Sequence, residues 1–233
     1  MNRRDELAAG LSEVRERIAT ACRDAGRDDS EVTLVVVTKF FPASDVRLLA
    51  DLGVTDVGEN RHPEGRDKAE ACADLGLTWH YIGGLQSNKA AAVGAYADVV
   101  QSVDRAKLLP GLARAAQERG RALEVLVQVS LDPPETQDGR NGVVPTELDA
   151  LAAEVNKHDA LRLRGLMAVA PLGAEPADAF SRLRAIRSDF LTRHRDAGWL
   201  SAGMSGDLEE AIGAGATHVR VGTAILGSRP SIK

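Results

Sequence analysis

Nothing restricts this chain more than the order of its apolar runs. The stretch VTLVVVTKFFP (32–42) is β-branched and closed by a proline. It is too apolar for a strand with one wet face, and reads as a strand buried on both faces of a parallel sheet. Seven further strand-like runs follow: VTDVGEN (54–60), LTWHYIG (77–83), ADVVQSV (97–103), LEVLVQVSL (123–131), LRLRGLMAVA (161–170), WLSAGM (199–204) and THVRVGTAI (217–225). Helical segments separate them, with starts expected at Ser44 and Asp104, although Pro110 sits inside the second of these helices. Strands alternating with helices build βαβ units, and eight of them predict an α/β fold, a (β/α)8 TIM barrel. An open doubly wound sheet is the alternative, but no GxGxxG follows the first strand. No linker-like tract interrupts the pattern, so residues 1–233 are expected to form one domain. An extra helix precedes the first strand, with Leu7, Leu11, Val14, Ile18 and Ala21 on one stripe and Gly26 at its stop.

Composition excludes several classes of function. A net charge of −5 argues against a nucleic-acid coat or a binder of anionic membranes. No apolar run reaches the length of a membrane span, and the charged start MNRRDELAAG has no signal core, so the expected location is cytoplasmic. Cys22 and Cys72 stand far apart without a CxxC, and no histidine pair has ligand spacing, so neither a disulfide nor a metal is expected.

A barrel of this kind carries its chemistry at the C-terminal ends of its strands. Lys39 closes the first strand on the face of Val35 and Val37. If that face is the interior, crowding favours the neutral, nucleophilic amine; otherwise the ammonium snorkels to water. The loops after strands seven and eight, around Gly203-Met-Ser205 and Gly222-Thr223, fall where barrels bind phosphate through backbone N–H groups, with Ser205 and Thr223 as hydroxyl donors. Tight turns that need glycine only for the backbone are the plainer reading. Arg220, on the face of His218 and Gly222, should project inward and so needs an anion or acceptor, or else an interior carboxylate such as Glu59. Asn60 ends strand two, where it faces the mouth. His80 is either a base or a hydrogen-bonded structural residue, and QSNK (86–89) is a capping turn, a ligand loop, or both.

A lysine opposite a phosphate cup suits a phosphorylated carbonyl compound held as a Schiff base. Pyridoxal 5′-phosphate (PLP) is the economical candidate, with Lys39 on its aldehyde and Arg220 at its pyridine nitrogen. A guanidinium has only donors, so that nitrogen stays unprotonated and the ring becomes a weak electron sink.

The motifs VVVTKFFP, GEN (58–60), WHYIGGLQSNK (79–89), LRGLMAV (163–169), SAGMSGDLEEAI (201–212) and VRVGTAILG (219–227) together resemble the YggS/PROSC family of PLP-binding, PLP-homeostasis proteins. The resemblance implies a barrel of the alanine racemase N-terminal type, covalent PLP, no established catalysis, and a role in vitamin B6 balance. It places the PLP lysine on Lys39, the GEN asparagine on Asn60, phosphate-binding groups on Ser201, Gly203, Ser205, Gly222 and Thr223, and the pyridine-facing arginine on Arg220. Met204 and Met167 would lie near the ring or the barrel interior. Two departures stand out. The family's GENY-x-QE is GENRHPE here, and its Lys-x-Gly near 140 is Arg140-Asn141-Gly142, which keeps the charge but removes an amine.

Three functions compete. A non-enzymatic carrier would buffer PLP and pass it to PLP-dependent apo-enzymes, as a monomer or weak dimer. A fold-type III amino-acid racemase would need a second base, commonly a tyrosine supplied by a β-rich domain. The chain ends shortly after its eighth strand, so that domain is not expected, and Tyr81 and Tyr96 are its only tyrosines. Tyr81 should pack outward and Tyr96 precede strand four, which leaves His80 as the remaining second base. A barrel for some other phosphorylated metabolite is the third.

Overall fold

The computed structural model describes residues 2–132 and 142–228. Eight parallel strands close into a barrel in chain order: β1 (Thr33–Val37), β2 (Asp56–Glu59), β3 (Thr78–Tyr81), β4 (Val99–Val103), β5 (Leu123–Gln128), β6 (Leu161–Met167), β7 (Trp199–Ser201) and β8 (His218–Val221), with β8 pairing back on β1. The expected TIM barrel is therefore correct, and every strand-like run yields one strand. The strands are shorter than the runs because most runs continue into the turn above the barrel, while ADVVQSV begins two residues before β4 and ends with it.

Nine helices surround the described strands: α1 (Arg3–Asp24), α2 (Ala43–Asp51), α3 (Glu64–Ala71), α4 (Ala90–Gly94), α5 (Leu109–Arg119), α6 (Leu148–Val155), α7 (Pro176–Arg193), α8 (Leu208–Gly213) and α9 (Thr223–Leu226). Two expected caps are wrong. Ser44 lies inside α2, whose N-cap is Pro42, and Asp104 pairs with Arg105 instead of capping a helix. The chain after β4 enters α5 through a 3-10 turn, Ala106–Leu108. That entry moves Pro110 into the first turn of α5, where the missing N–H is no loss.

Most apolar side chains pack between barrel and helices, which buries the outward face of the strands. The extra helix α1 is part of this layer. Its stripe Leu7, Leu11, Val14 and Ile18 is buried, and Gly10 lets it approach α9 so closely that a Cβ there would lie 2.8 Å from the Ala224 carbonyl oxygen. Arg17 holds Glu209 of α8 at 2.7 Å, and Arg3 holds Asp45 of α2 at 2.7 Å. No described helix is long and apolar enough to cross a membrane.

Inside the barrel a small apolar cluster consists of Val99, Leu126 and Met167, with Trp199 against them, while Val35, Val37 and Ile82 surround Gly58. Met167 thus sits in the interior, as expected. It reaches that face through a β-bulge between β5 and β6, where Val125 opposes Leu163 but Leu126 opposes Gly165.

Candidate functional site

A cavity of about 280 Å³ opens at the C-terminal end of the barrel, just below the roughly 300–1,000 Å³ common for small-molecule sites. Lys39, Phe40, Met204, Ser205, Arg220, Gly222 and Thr223 all lie on its wall. The structure thus brings together residues from the turn after β1 and from the loops after β7 and β8, which are remote in sequence. Among the described residues, two cations and two hydroxyls line it, and no carboxylate does.

Lys39 lies two residues beyond β1 rather than in it, and is half-buried. Its placement depends on its neighbours. Thr38 and Phe40 are both tied to a buried charge cluster that sequence reasoning missed. Lys68 of α3 donates to the Thr38 carbonyl (2.7 Å), to Glu59 Oε1 (2.7 Å) and to Glu64 Oε1 (2.9 Å). Thr38 Oγ1 donates to the same Glu59 oxygen at 2.5 Å, and the Phe40 N–H donates to Glu64 Oε1 at 2.6 Å. Phe40 is the one described non-glycine residue with positive φ (70°), a conformation costing about 1–3 kcal/mol unless its surroundings enforce it. The Glu64 contact does so. Burial pushes the Glu59 carboxyl above its ordinary pKa against the pull of Lys68. For Glu64, burial acts the same way, but the hydrogen bonds from Lys68 and Phe40 prevail and hold it low.

Glu59 is therefore not an interior partner of Arg220; it faces outward to α3. Arg220 is 4% exposed and forms the cavity floor, where Nη1 donates to Ser201 Oγ (2.7 Å) and Nη2 to the Ala168 carbonyl (2.9 Å). Burial holds its guanidinium down to about 10.

Ser201 and Gly203 lie off the cavity wall. The fully buried Ser201 side chain is taken up by Arg220 and Gln101, whose Oε1 accepts its hydroxyl at 2.6 Å. Gly203 has φ +91°, and a Cβ there would meet Ala211 of α8 at 2.7 Å, so it is required by the backbone. Its carbonyl accepts the Arg220 N–H at 2.9 Å. Asn60, half-buried, continues the inward face of Gly58, and its Oδ1 is buried with no hydrogen-bond partner. Gly83 packs on it so tightly that a Cβ would fall 2.2 Å from the Asn60 carbonyl oxygen.

His80 is interior, with Nε2 2.9 Å from Asp56 Oδ1 and Nδ1 2.9 Å from Gln101 Nε2, so both ring nitrogens are engaged. Behind it His218 is pushed down to about 4 by burial. Tyr81 packs outward in the apolar layer, and Tyr96 stacks on His62 outside the barrel. Neither lines the cavity. Residues 87–89 of QSNK form a 3-10 turn off the cavity wall, with no side-chain cap from Gln86.

In GENRHPE, Arg61 lies over the Phe40 ring at 5.4 Å, while Glu64 keeps the acidic position that anchors Phe40. Arg140 and Asn141 fall outside the described residues.

Residues 11–230 match the family described as alanine racemase, N-terminal domain. The chain is 41% identical to the pyridoxal phosphate homeostasis protein of Mycobacterium tuberculosis, covering 98% of this chain and 95% of that one. This chain belongs to the pyridoxal phosphate homeostasis protein family. The family resemblance read from its motifs is thereby established. Among solved structures, the homeostasis-family chain superimposes on PipY of Synechococcus elongatus with PLP bound, at a TM-score of 0.81 and 33% identity over 95% of this chain and 100% of that one. It also shares the fold of an alanine racemase of Clostridium difficile, with a TM-score of 0.72 at 16% identity, covering 97% of this chain and 58% of that one.

Proposed function

We propose that this chain binds PLP at the mouth of its barrel and serves PLP homeostasis as a carrier and buffer that passes the cofactor to PLP-dependent apo-enzymes. One observation carries the reading: a single cavity joins Lys39, the Arg220 floor, and the Ser205 and Gly222-Thr223 loops. The residues fit the group. Among the described residues the lining supplies an amine, a donor-only guanidinium and two hydroxyls with no acid, which suits an anionic aldehyde.

When bound, PLP supplies an aldehyde that condenses with an amine and a ring that stores electrons when its nitrogen is protonated. In this chain Lys39 is the attachment point. Thr38 and Phe40, fixed by Glu59, Lys68 and Glu64, aim its side chain. Ser205, Thr223 and the backbone after β7 and β8 would hold the phosphate, and Arg220 would lie on the side of the pyridine nitrogen. With both Arg220 Nη groups already committed to acceptors and its charge retained, it gives the ring nitrogen no proton and restrains carbanion chemistry. No tyrosine lines the cavity to act as a second base, so amino-acid racemisation is the weaker reading.

The discriminating experiment loads the protein with PLP, removes free cofactor, and offers it to an apo-transaminase. We expect transfer that restores transaminase activity. In parallel, D- or L-alanine in D2O should show no α-proton exchange above that of free PLP. Exchange at enzymatic rates would replace the carrier reading with the racemase.

A further inference from the structure

The buried Arg220 raises a question that the cavity alone does not answer, since its side chain holds a charge in the barrel interior on two neutral acceptors. Four further groups lie in line behind it. Arg220 Nη1 donates to Ser201 Oγ (2.7 Å), and the Ser201 hydroxyl donates to Gln101 Oε1 (2.6 Å). Gln101 Nε2 then meets His80 Nδ1 (2.9 Å), and His80 Nε2 meets Asp56 Oδ1 (2.9 Å). Ser201 and Gln101 are fully buried and His80 is 2% exposed.

With the His80 ring neutral, the hydrogens in this row have one consistent arrangement. Arg220 has only donors, so Ser201 accepts from it and gives its own hydrogen to Gln101. That fixes the Gln101 amide with its oxygen toward Ser201 and its NH2 toward His80. His80 Nδ1 must then accept, which leaves the proton on Nε2, facing the Asp56 carboxylate. Every donor points the same way, from the cavity floor to a carboxylate on β2, which only β1 separates from β8.

We propose that Ser201, Gln101 and His80 are positioning residues forming one directional relay, anchored at the Asp56 carboxylate, which orients Arg220 toward the ligand's ring. Ser201 therefore belongs to the ring end of the site and not to the phosphate end, where the motif resemblance puts it. This rests on PLP being the ligand, but the direction of the relay does not.

Ligand pairs that differ only in the phosphate separate the two roles. With PLP and with pyridoxal, Ser201→Ala should weaken binding of both by the same factor, about tenfold for a lost hydrogen bond to a charged group. Ser201→Thr, which keeps the hydroxyl, should recover most of it, and Gln101→Leu should show the same parallel loss. A loss confined to PLP makes Ser201 a phosphate ligand and overturns the proposal, as does no loss for either compound. Nitrogen-15 NMR of histidine-labelled wild-type protein without ligand gives a readout independent of any variant. It should show His80 neutral with its proton on Nε2; a proton on Nδ1 at neutral pH breaks the relay. If wild type binds neither compound, the PLP reading fails, and the NMR result still decides the relay.

Discussion

Lys68→Met should be among the most damaging single changes outside the cavity, lowering stability by about 3–5 kcal/mol, the range for breaking a buried ion pair from one side. Lys68 is 7% exposed and is the cation shared by Glu59 and Glu64. Without it Glu59, already pushed up by burial, carries an uncompensated charge. The deficit should depend on pH. In the variant the Glu59 carboxyl titrates higher folded than unfolded, so the native state binds the proton more tightly and stability falls as pH rises through that window. Acidification toward the ordinary carboxylate range should therefore recover part of the loss. Urea denaturation at several pH values measures this. A variant as stable as wild type at neutral pH would show that the cluster is not what fixes Thr38 and Phe40.

Gly165→Ala should be comparably severe for a different reason. Gly165 has φ +154° at the β5–β6 bulge, and a Cβ there would fall 1.8 Å from the Trp199 carbonyl oxygen. The β6–β7 ladder pairs these same two residues, so neither backbone can retreat without opening the barrel. Strain of about 1–3 kcal/mol and overpacking of about 1–3 kcal/mol add to a loss of roughly 2–6 kcal/mol. A large shift in the denaturation midpoint is expected, with Met167 released from the interior. An unchanged midpoint would mean the bulge is soft.

The architecture was legible because a (β/α)8 barrel writes its period directly into the chain. Each of the eight strands must carry apolar residues on the face toward the helices, and the intervening helices must carry stripes. The residues at the strand ends could also be located, since alternation puts Lys39 with Val37 and Arg220 with Gly222. What was not legible is anything decided by which partner a buried polar group finds. Glu59 reads as an interior partner for Arg220, yet it lies one residue beyond Gly58, whose face is the interior, and so points to Lys68. Gln101 carries no sequence signal, because one glutamine in an apolar run looks like an ordinary strand residue. Its role follows only from its lying between His80 and Ser201. Helix starts were misplaced at Ser44 and Asp104 because capping residues are common, whereas the entry used depends on how the preceding turn leaves the barrel.

Covalent attachment at Lys39 is the central claim, and absorption spectroscopy tests it most directly. Purified protein with added PLP should develop a violet absorption band that borohydride traps irreversibly on the chain. The trapped label should map to Lys39 by peptide mass, and Lys39→Ala should show neither the band nor the label. A label that persists in Lys39→Ala, or wild-type protein that never develops the band, would contradict the account and leave a phosphate-binding barrel for another ligand.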